Sequence, residues 1–286
     1  MLSPDGAPAR MPDLAPLCER IAQAAHRALI DELETYPKPG LVSPVDAGSH
    51  RDMDAGTLRR SAGAIRPFFV LLAAAGARNA PLAELRAIGL RAEAAMMAAT
   101  GGVNAHRGAI FSLGLLCAAE GATGGRLPSA EARALAVAAR WGAAIAARPP
   151  SPETHGGRAV RRYRVGGASG EAAAGFPTLR VLALPALREG RRLAPGDGEA
   201  ARVQAFFALL AALDDTNLLH RGGAEGLAEA RAMAAGFLAR GGVAAPDWRA
   251  EGVRIHRAFV ARRLSPGGCA DLLAAALFLD ALEAGR

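Results

Sequence analysis

Lysine is almost absent from this sequence of 286 residues. Of its 34 lysine and arginine residues, Lys38 alone is a lysine. It has either a role that arginine cannot fill or no role beyond chance survival. Aromatic residues are also few, at 5%, and alanine is abundant, which favours closely packed helices over a sheet. The sequence has neither a basic block nor aromatic platforms for stacking bases, which argues against a nucleic-acid-binding protein.

Cysteine is equally sparse, and its three copies are Cys18, Cys117 and Cys269. They are far apart, odd in number and set in apolar helical patterns, as expected of small core residues in a reducing compartment. No zinc-binding spacing and no signal peptide is apparent. The longest uncharged apolar run, residues 108–119, is too short to cross a bilayer. We therefore expect a soluble cytoplasmic protein with a flexible tail at residues 1–13.

Apolar residues make up 51% of the chain and the net charge is +7. Such a chain can bury a sizeable core, and its positive charge suits anionic substrates such as nucleotides or coenzymes. The alternative is composition drift, because the basic residues are spread along the whole chain. No dinucleotide-binding GxGxxG motif follows a strand, no P-loop is present, and strand patterns are scarce.

The periodicity predicts a single all-α domain at residues 14–286, with about ten to twelve helices. The predicted helices cover residues 14–34, 57–76, 81–100, 109–119, 129–147, 172–187, 199–219, 224–240, 247–264 and a last segment ending near 282. The intervening residues 148–169 are the least regular region, and they form either a mobile lid or a plain connection.

The stretch from Thr100 to Gly108 is polar and flexible and leads directly into a buried helix. A helix N-terminus with free N–H groups is a ready anion site, and arginine adds a fixed charge. The alternative is a glycine-rich turn between helices whose histidine is a capping residue. The candidate substrate-binding and catalytic residues of this stretch are Thr100, Gly101, Gly102, Asn104, His106, Arg107 and Gly108.

Three other polar groups stand out. Prolines on both sides hold Lys38 in a rigid segment. The ionisable cluster containing His50 and Asp52 either is solvated or contacts a substrate or metal. Glu93 lies on the helix face that leads into the glycine loop, where it either faces the same site or is an ordinary surface glutamate.

Asp214 and Asp215 follow a strongly apolar run. Adjacent carboxylates there are costly unless they are paired, solvated or bound to a cation. The pattern predicts that helix 199–219 carries them at its end and that Gly222 and Gly223 terminate it.

Several short motifs occur in one order over about residues 25–282. They are Pro37-Lys38-Pro39-Gly40-Leu41-Val42, Gly48-Ser49-His50-Arg51-Asp52-Met53, Thr100-Gly101-Gly102-Val103-Asn104-Ala105-His106-Arg107-Gly108-Ala109-Ile110, Gly170-Glu171-Ala172, Gly175-Phe176-Pro177, Asp215-Thr216-Asn217-Leu218-Leu219-His220-Arg221-Gly222-Gly223 and Ser265-Pro266-Gly267-Gly268. Together they resemble the triphosphoribosyl-dephospho-coenzyme A synthase family. Ser169 is a departure, since the family usually has arginine there.

The resemblance implies an all-helical enzyme that uses ATP and 3′-dephospho-coenzyme A, with Mg²⁺ on the triphosphate. The ribose 2′-hydroxyl of dephospho-coenzyme A displaces adenine from the anomeric carbon of ATP. A separate transferase then loads the product onto the acyl-carrier subunit of malonate decarboxylase or citrate lyase. The residues 214–216 and 265–268 favour the malonate branch.

The side chains suit this chemistry, which needs a base, an acid and a carboxylate near the developing positive charge. The catalytic candidates are His50, Asp52, Glu93, His106, Glu171 and His220. The substrate-binding candidates add Lys38, Asn217, Arg221 and Gly222 to the glycine stretch, and Asp214 and Asp215 are the Mg²⁺ candidates. Base and acid stay unassigned. Two rival functions are a helical Mg²⁺-dependent nucleotide phosphohydrolase and a non-catalytic nucleotide-binding protein.

Overall fold

A computed structural model describes residues 14–285. These residues form twelve helices and no strand, which confirms the all-α prediction. The predicted tail at residues 1–13 lies outside the described residues. No helix in the described part of the chain is long and apolar enough to span a membrane.

The helices are numbered here in chain order. They are α1 (Leu14–Leu33), α2 (Ala55–Ala77), α3 (Leu82–Ala99), α4 (Arg107–Ala122), α5 (Ala130–Val137, continued by a π-helical turn Ala138–Gly142 and by Ala143–Ala146), α6 (His155–Tyr163), α7 (Gly167–Ala173), α8 (a π-helical turn Leu179–Ala183 continued by Leu184–Leu193), α9 (Gly198–Ala212), α10 (Thr216–Ala239), α11 (Trp248–Ala261) and α12 (Gly267–Ala284).

Helices α2 and α4 pack side by side and form the centre of the bundle. Ser61 near the start of α2 contacts His106 at the start of α4, whereas Gly76 near the end of α2 lies against Ala118 near the end of α4. The two helices are therefore parallel. A Cβ at Gly76 would overlap the Ala118 backbone, so glycine is what permits this close approach.

Several helix ends meet at the N-terminal end of α2 and α4. Helix α1 is antiparallel to α2, because Glu19 pairs with Arg66 and Glu34 with Arg59. Asp271 in the first turns of α12 lies against α4 at Gly108. We call this region, made of residues 32–54, 100–108, 213–223 and 262–271, the polar end of the bundle. The N-termini of α2, α4, α10 and α12 lie in this region.

The prediction of one helix over residues 199–219 was wrong. Helix α9 ends at Ala212, Leu213 is extended, and Asp215 caps a new helix, α10. Aspartate favours the N-cap position because its carboxylate accepts bonds from the first free N–H groups. The predicted helix end at Gly222 and Gly223 agrees with the structure. Gly223 has non-helical angles, with φ 65° and ψ −164°, and it separates two helical segments within α10.

Candidate active site

Lys38 is buried at the base of the polar end, with 1% of its surface exposed. Its ammonium pairs with the carboxylate of Glu32, the penultimate residue of α1. Burial lowers the pKa of Lys38, while the charge of Glu32 opposes that change. If Lys38 had survived by chance, an exposed side chain would be expected, but this lysine is buried and balances the charge of a buried carboxylate.

His256 on α11 fixes the loop that carries Lys38. Its Nδ1 lies 3.0 Å from the carbonyl oxygen of Lys38 and 3.3 Å from the backbone nitrogen of Gly40, while Nε2 lies 3.1 Å from Oδ1 of Asp46. His256 was not predicted from the sequence, because it lies in the middle of a regular helix without a local motif. The prediction that prolines alone hold this segment therefore omits its main tertiary anchor.

His50 lies where the loop after α1 meets the loop before α12. Its Nε2 is 2.9 Å from Oγ of Ser265, and its Nδ1 is 3.5 Å from Oδ1 of Asp52. Burial lowers the pKa of His50, and the nearby charge of Arg221 lowers it further. The imidazole is thus neutral at pH 7, and the Asp52 side chain beside it is 63% exposed. A cleft of about 230 Å³ opens here, lined partly by His50 and Arg263.

His106 occupies the N-cap position of α4, yet its ring makes no capping bond. Its Nδ1 instead lies 2.7 Å from Oγ of Ser61, which is fully buried. Burial and the charge of Lys38 lower the pKa of His106 to about 4. Nε2 is buried and has no hydrogen-bond partner among the described residues. The capping alternative does not hold, and this imidazole is a neutral group closed to solvent.

The N-terminus of α4 already carries a carboxylate of the protein. Asp271 accepts a bond from the backbone N–H of Ala109, and a Cβ on Gly108 would overlap its carboxylate. Burial and the charges of Glu32 and Asp215 raise the pKa of Asp271 well above its usual range. Gly108 therefore serves a contact between two helices, and Asp271 is a site residue that sequence reasoning missed, since it lies inside the last helix.

The glycine stretch forms a loop supported by its own residues. The Thr100 hydroxyl donates to the carbonyl of Val103 at 2.6 Å, and the backbone N–H of Arg107 donates to the side-chain oxygen of Asn104 at 3.3 Å. Gly101 and Gly102 have φ values of 67° and 92°, and open space surrounds both. The loop is thus free to receive a ligand at these glycines.

Glu93 and Arg107 form an ion pair beside this loop, with Oε2 and Nε 2.8 Å apart. The prediction that Glu93 faces the glycine loop is consistent with this geometry. In the structure its carboxylate balances Arg107, so a substrate phosphate would have to share the guanidinium with Glu93.

Asp214 and Asp215 point into different surroundings. Oδ1 of Asp215 accepts bonds from the backbone N–H groups of Asn217 and Leu218 at 2.8 and 3.1 Å, and Oδ2 accepts one from Cys269 at 2.8 Å. Asp215 thereby joins the N-termini of α10 and α12.

Asp214 is exposed, and its Oδ1 lies 2.9 Å from Nη2 of Arg231. Among residues 14–285, no group of three or more His, Cys, Asp or Glu side chains is placed to hold a metal. Both carboxylate oxygens of Asp215 accept backbone N–H bonds and Asp214 pairs with Arg231, an arrangement that does not fit a Mg²⁺ site shared by the two.

The start of α10 contributes the remaining candidates of the 215–223 motif. The side chain of Asn217 lies against Gly267, and Gly222 lies against Leu264, where a Cβ would overlap the leucine. His220 hydrogen-bonds to His155 of α6, and Arg221 donates to the carbonyl of Arg263 at 3.2 Å.

Glu171 is the candidate that the described contacts do not join to this cluster. Its carboxylate accepts bonds from the backbone N–H and hydroxyl of Thr178 at 3.1 and 2.6 Å. These bonds are local, and they fix the start of α8. The motif at residues 175–177 also lies elsewhere, with Gly175 against Ala134 and Leu135 of α5. The motif segments 37–42, 48–53, 100–108, 215–223 and 265–268 do meet at the polar end.

Comparison with known proteins shows one family and several relatives that match most of this chain. The family model described as "CitG: ATP:dephospho-CoA triphosphoribosyl transferase" matches residues 18–286. A Klebsiella pneumoniae protein named "2-(5''-triphosphoribosyl)-3'-dephosphocoenzyme-A synthase" is 41% identical, over 94% of this chain and 99% of its own length. Two further relatives carry the same name preceded by "Probable". The one from Pseudomonas paraeruginosa (strain DSM 24068 / PA7) is 43% identical, over 94% of this chain and 93% of its own length. The one from Stutzerimonas stutzeri (strain A1501) is 40% identical, over 92% of each chain. No solved structure matches.

Proposed function

This chain belongs to the CitG family of ATP:dephospho-CoA triphosphoribosyl transferases, and we propose that it performs that transfer at the polar end of its bundle. It is a transferase that moves the triphosphoribosyl group of ATP to the ribose 2′-hydroxyl of 3′-dephospho-coenzyme A and releases adenine. The observation that carries the location is the meeting of the motif segments 37–42, 48–53, 100–108, 215–223 and 265–268 in one place.

The electrostatics of this region support an anionic substrate. Arg107, Arg221 and the exposed glycine loop line its surface. Arginines bind phosphate groups through charge-assisted hydrogen bonds. In our proposal Gly101, Gly102 and Asn104 approach one phosphate chain, and Arg107 exchanges part of its pairing with Glu93 for that ligand.

The reaction also needs a neutral base and a carboxylate. His50 has a lowered pKa and lies beside the exposed Asp52. A neutral imidazole can accept the proton of the attacking hydroxyl, and a carboxylate can stabilise the positive charge that develops on the ribose as the N-glycosidic bond breaks. We propose this pair for those two roles. In our proposal His106 has a structural role, because its buried neutral imidazole packs beneath the site and contacts Ser61.

Mg²⁺ enters this proposal as part of the substrate, Mg-ATP. Magnesium commonly keeps several waters and binds mainly to substrate phosphates, with one or two protein carboxylates at most. The pairing of Asp214 with Arg231 and the capping role of Asp215 do not favour these two as its ligands.

The product would be the prosthetic-group precursor of an acyl-carrier subunit. We propose that a separate transferase receives it for loading onto malonate decarboxylase or citrate lyase, and that residues 214–216 and 265–268 favour the malonate branch. The three cysteines are free and buried, which suits a reducing compartment such as the cytoplasm.

Mass spectrometry of the reaction products tests this function. Purified protein with Mg-ATP should release adenine only when dephospho-coenzyme A is present, and the coenzyme should gain a triphosphoribosyl group. Release of ADP or inorganic phosphate as the main product would instead indicate the nucleotide phosphohydrolase, and unchanged ATP would indicate a binding protein.

A further inference from the structure

Two histidines from distant parts of the chain are in contact at the edge of the polar end. His155 is the first residue of α6, and His220 lies in the first turns of α10. Nδ1 of His155 hydrogen-bonds to Nε2 of His220, and the rings meet edge-on with centroids 3.9 Å apart. Both side chains are exposed, so a ligand can reach their outer nitrogens.

The charges around this pair are basic. Arg158 lies one turn further along α6, and Arg221 follows His220 directly. Burial lowers the pKa of His220, and the charges of His155, Arg158 and Arg221 lower it further. Within residues 14–285, His155, Arg158 and His220 form no ion pair, whereas the charge of Asp52 acts on Arg221. Acidic groups therefore balance this group of four basic side chains only in part.

We propose that His155, Arg158, His220 and Arg221 form a binding site for a phosphate group of the substrates. Two neutral imidazoles share one N–H between their facing nitrogens. If the pair gains a single proton, the shared hydrogen bond persists and both outer nitrogens become N–H donors. A second proton would break the contact. The site therefore binds phosphate with uptake of at most about one proton, which belongs to the pair as a whole.

The identity of the phosphate chain rests on the proposed function. ATP brings a triphosphate, and dephospho-coenzyme A brings a diphosphate. Both present the same oxygen chemistry, and arginines with imidazolium groups recognise either. Arg158 also donates to the carbonyls of Pro152 and Glu153 through Nη1, which leaves the rest of its guanidinium for a ligand.

Isothermal titration calorimetry on wild type and on His155→Asn tests the site. The probes are inorganic tripolyphosphate, ATP and dephospho-coenzyme A, each titrated at pH 7 in two buffers that differ in ionisation enthalpy. Loss of a charge-assisted contact should weaken binding roughly ten- to a hundredfold, and the buffer-dependent proton uptake should disappear. His26→Asn, a partly buried histidine on α1, should keep wild-type affinity and uptake.

The pattern of losses identifies the source of the phosphate. Weaker binding of tripolyphosphate and ATP alone assigns the site to the triphosphate, and weaker binding of dephospho-coenzyme A alone assigns it to the diphosphate. Unchanged affinity for all three probes, with unchanged proton uptake in a folded variant, would overturn the proposal. If wild type fails to release adenine but His155→Asn still weakens tripolyphosphate binding, the phosphate site stands and only the proposed reaction falls.

Discussion

At the scale of single residues, the structure gives a different reason for the lysine at position 38 from the one that the sequence predicted. The sequence singled it out as the lone lysine and indicated phosphate binding. The structure buries it against Glu32, at a fully enclosed position where the larger planar guanidinium of arginine would overpack its surroundings. Residue type and spacing identified the position, but the partner lies in α1 and has no sequence signal of its own.

The Lys38–Glu32 pair can be tested by unfolding. Lys38→Met should lower the free energy of unfolding by about 3–5 kcal/mol, because it leaves Glu32 buried without a partner. The double variant Lys38→Met with Glu32→Gln should recover most of that loss. Lys38→Arg should cost about 1–3 kcal/mol through overpacking, and activity should fall with it.

Urea titration measures all three variants. Arg27→Met is the matched control, on the same helix as Glu32. Because Arg27 pairs with Asp31 at the exposed surface, this substitution should cost less than about 1 kcal/mol. A single Lys38→Met variant as stable as the double would contradict the account of a buried ion pair.

His106 makes a prediction about acid stability. Its pKa is lowered to about 4 from the ordinary value of 6.5, so between these values the unfolded chain binds a proton that the folded chain does not. Stability is therefore fully present above about pH 6.5 and declines as the pH falls toward 4. The difference corresponds to about 3 kcal/mol.

Unfolding curves at several pH values check this. His106→Gln should show a shallower loss of stability between pH 6.5 and 4 than wild type, even if its stability at pH 7 is lower. Parallel slopes for the two proteins would mean that His106 does not titrate as its burial indicates.

At the scale of helices, the local sequence patterns predicted well which segments are helical. They predicted poorly where one helix ends and the next begins. The apolar run of residues 205–213 hid the break after Ala212, because periodicity cannot distinguish a helix end from the start of the next helix when both are buried. The capping preference of aspartate was the available signal at Asp215. The π-helical turns in α5 and α8 left no trace in the sequence pattern.

Substitution of alanine for glycine should have opposite effects at Gly108, which lies at the contact between α4 and α12, and at Gly89, which lies outside it. Gly108→Ala should destabilise the protein by about 1–3 kcal/mol, because the new methyl group meets the carboxylate of Asp271. Gly89→Ala in α3 faces open space and should stabilise by roughly 0.5–1 kcal/mol through helix propensity. Thermal or urea unfolding of both variants decides this. A Gly108→Ala protein as stable as wild type would place Asp271 elsewhere.

The two aspartates before α10 have different structural roles, so their substitution should cost different amounts of stability. Asp215→Asn should cost about 1–3 kcal/mol, because it replaces an acceptor that serves two helix N-termini with an amide. Asp214→Asn should cost less than about 1 kcal/mol, since its pair with Arg231 is exposed.

Titration of activity against Mg²⁺ in the same variants tests the magnesium prediction. With both aspartates in structural roles, the Mg²⁺ requirement should match that of wild type in each folded variant. An Asp215→Asn protein that keeps its stability but needs more Mg²⁺ would restore this residue as a metal ligand.

At the scale of the whole molecule, the motifs predicted the family and the all-α architecture, but not how the motifs meet. Their convergence depends on α2 and α4 running in the same direction and on the contact of Asp271 in α12 with Gly108 at the start of α4. Those interactions join residues far apart in sequence and have no local pattern. Ser61 and His155 were missed for the same reason, since each is defined only by its partner histidine.

Hydrogen–deuterium exchange with bound substrates tests most directly whether the polar end is the active site. Mg-ATP and dephospho-coenzyme A, added separately, should each slow exchange in peptides covering residues 38–53, 100–108, 155–170, 215–223 or 262–271. A larger cleft of about 410 Å³ at the other end of α2, lined partly by Pro81 and Trp141, should exchange at its ligand-free rate. Protection confined to that cleft, with the polar end unaffected by either substrate, would contradict the account.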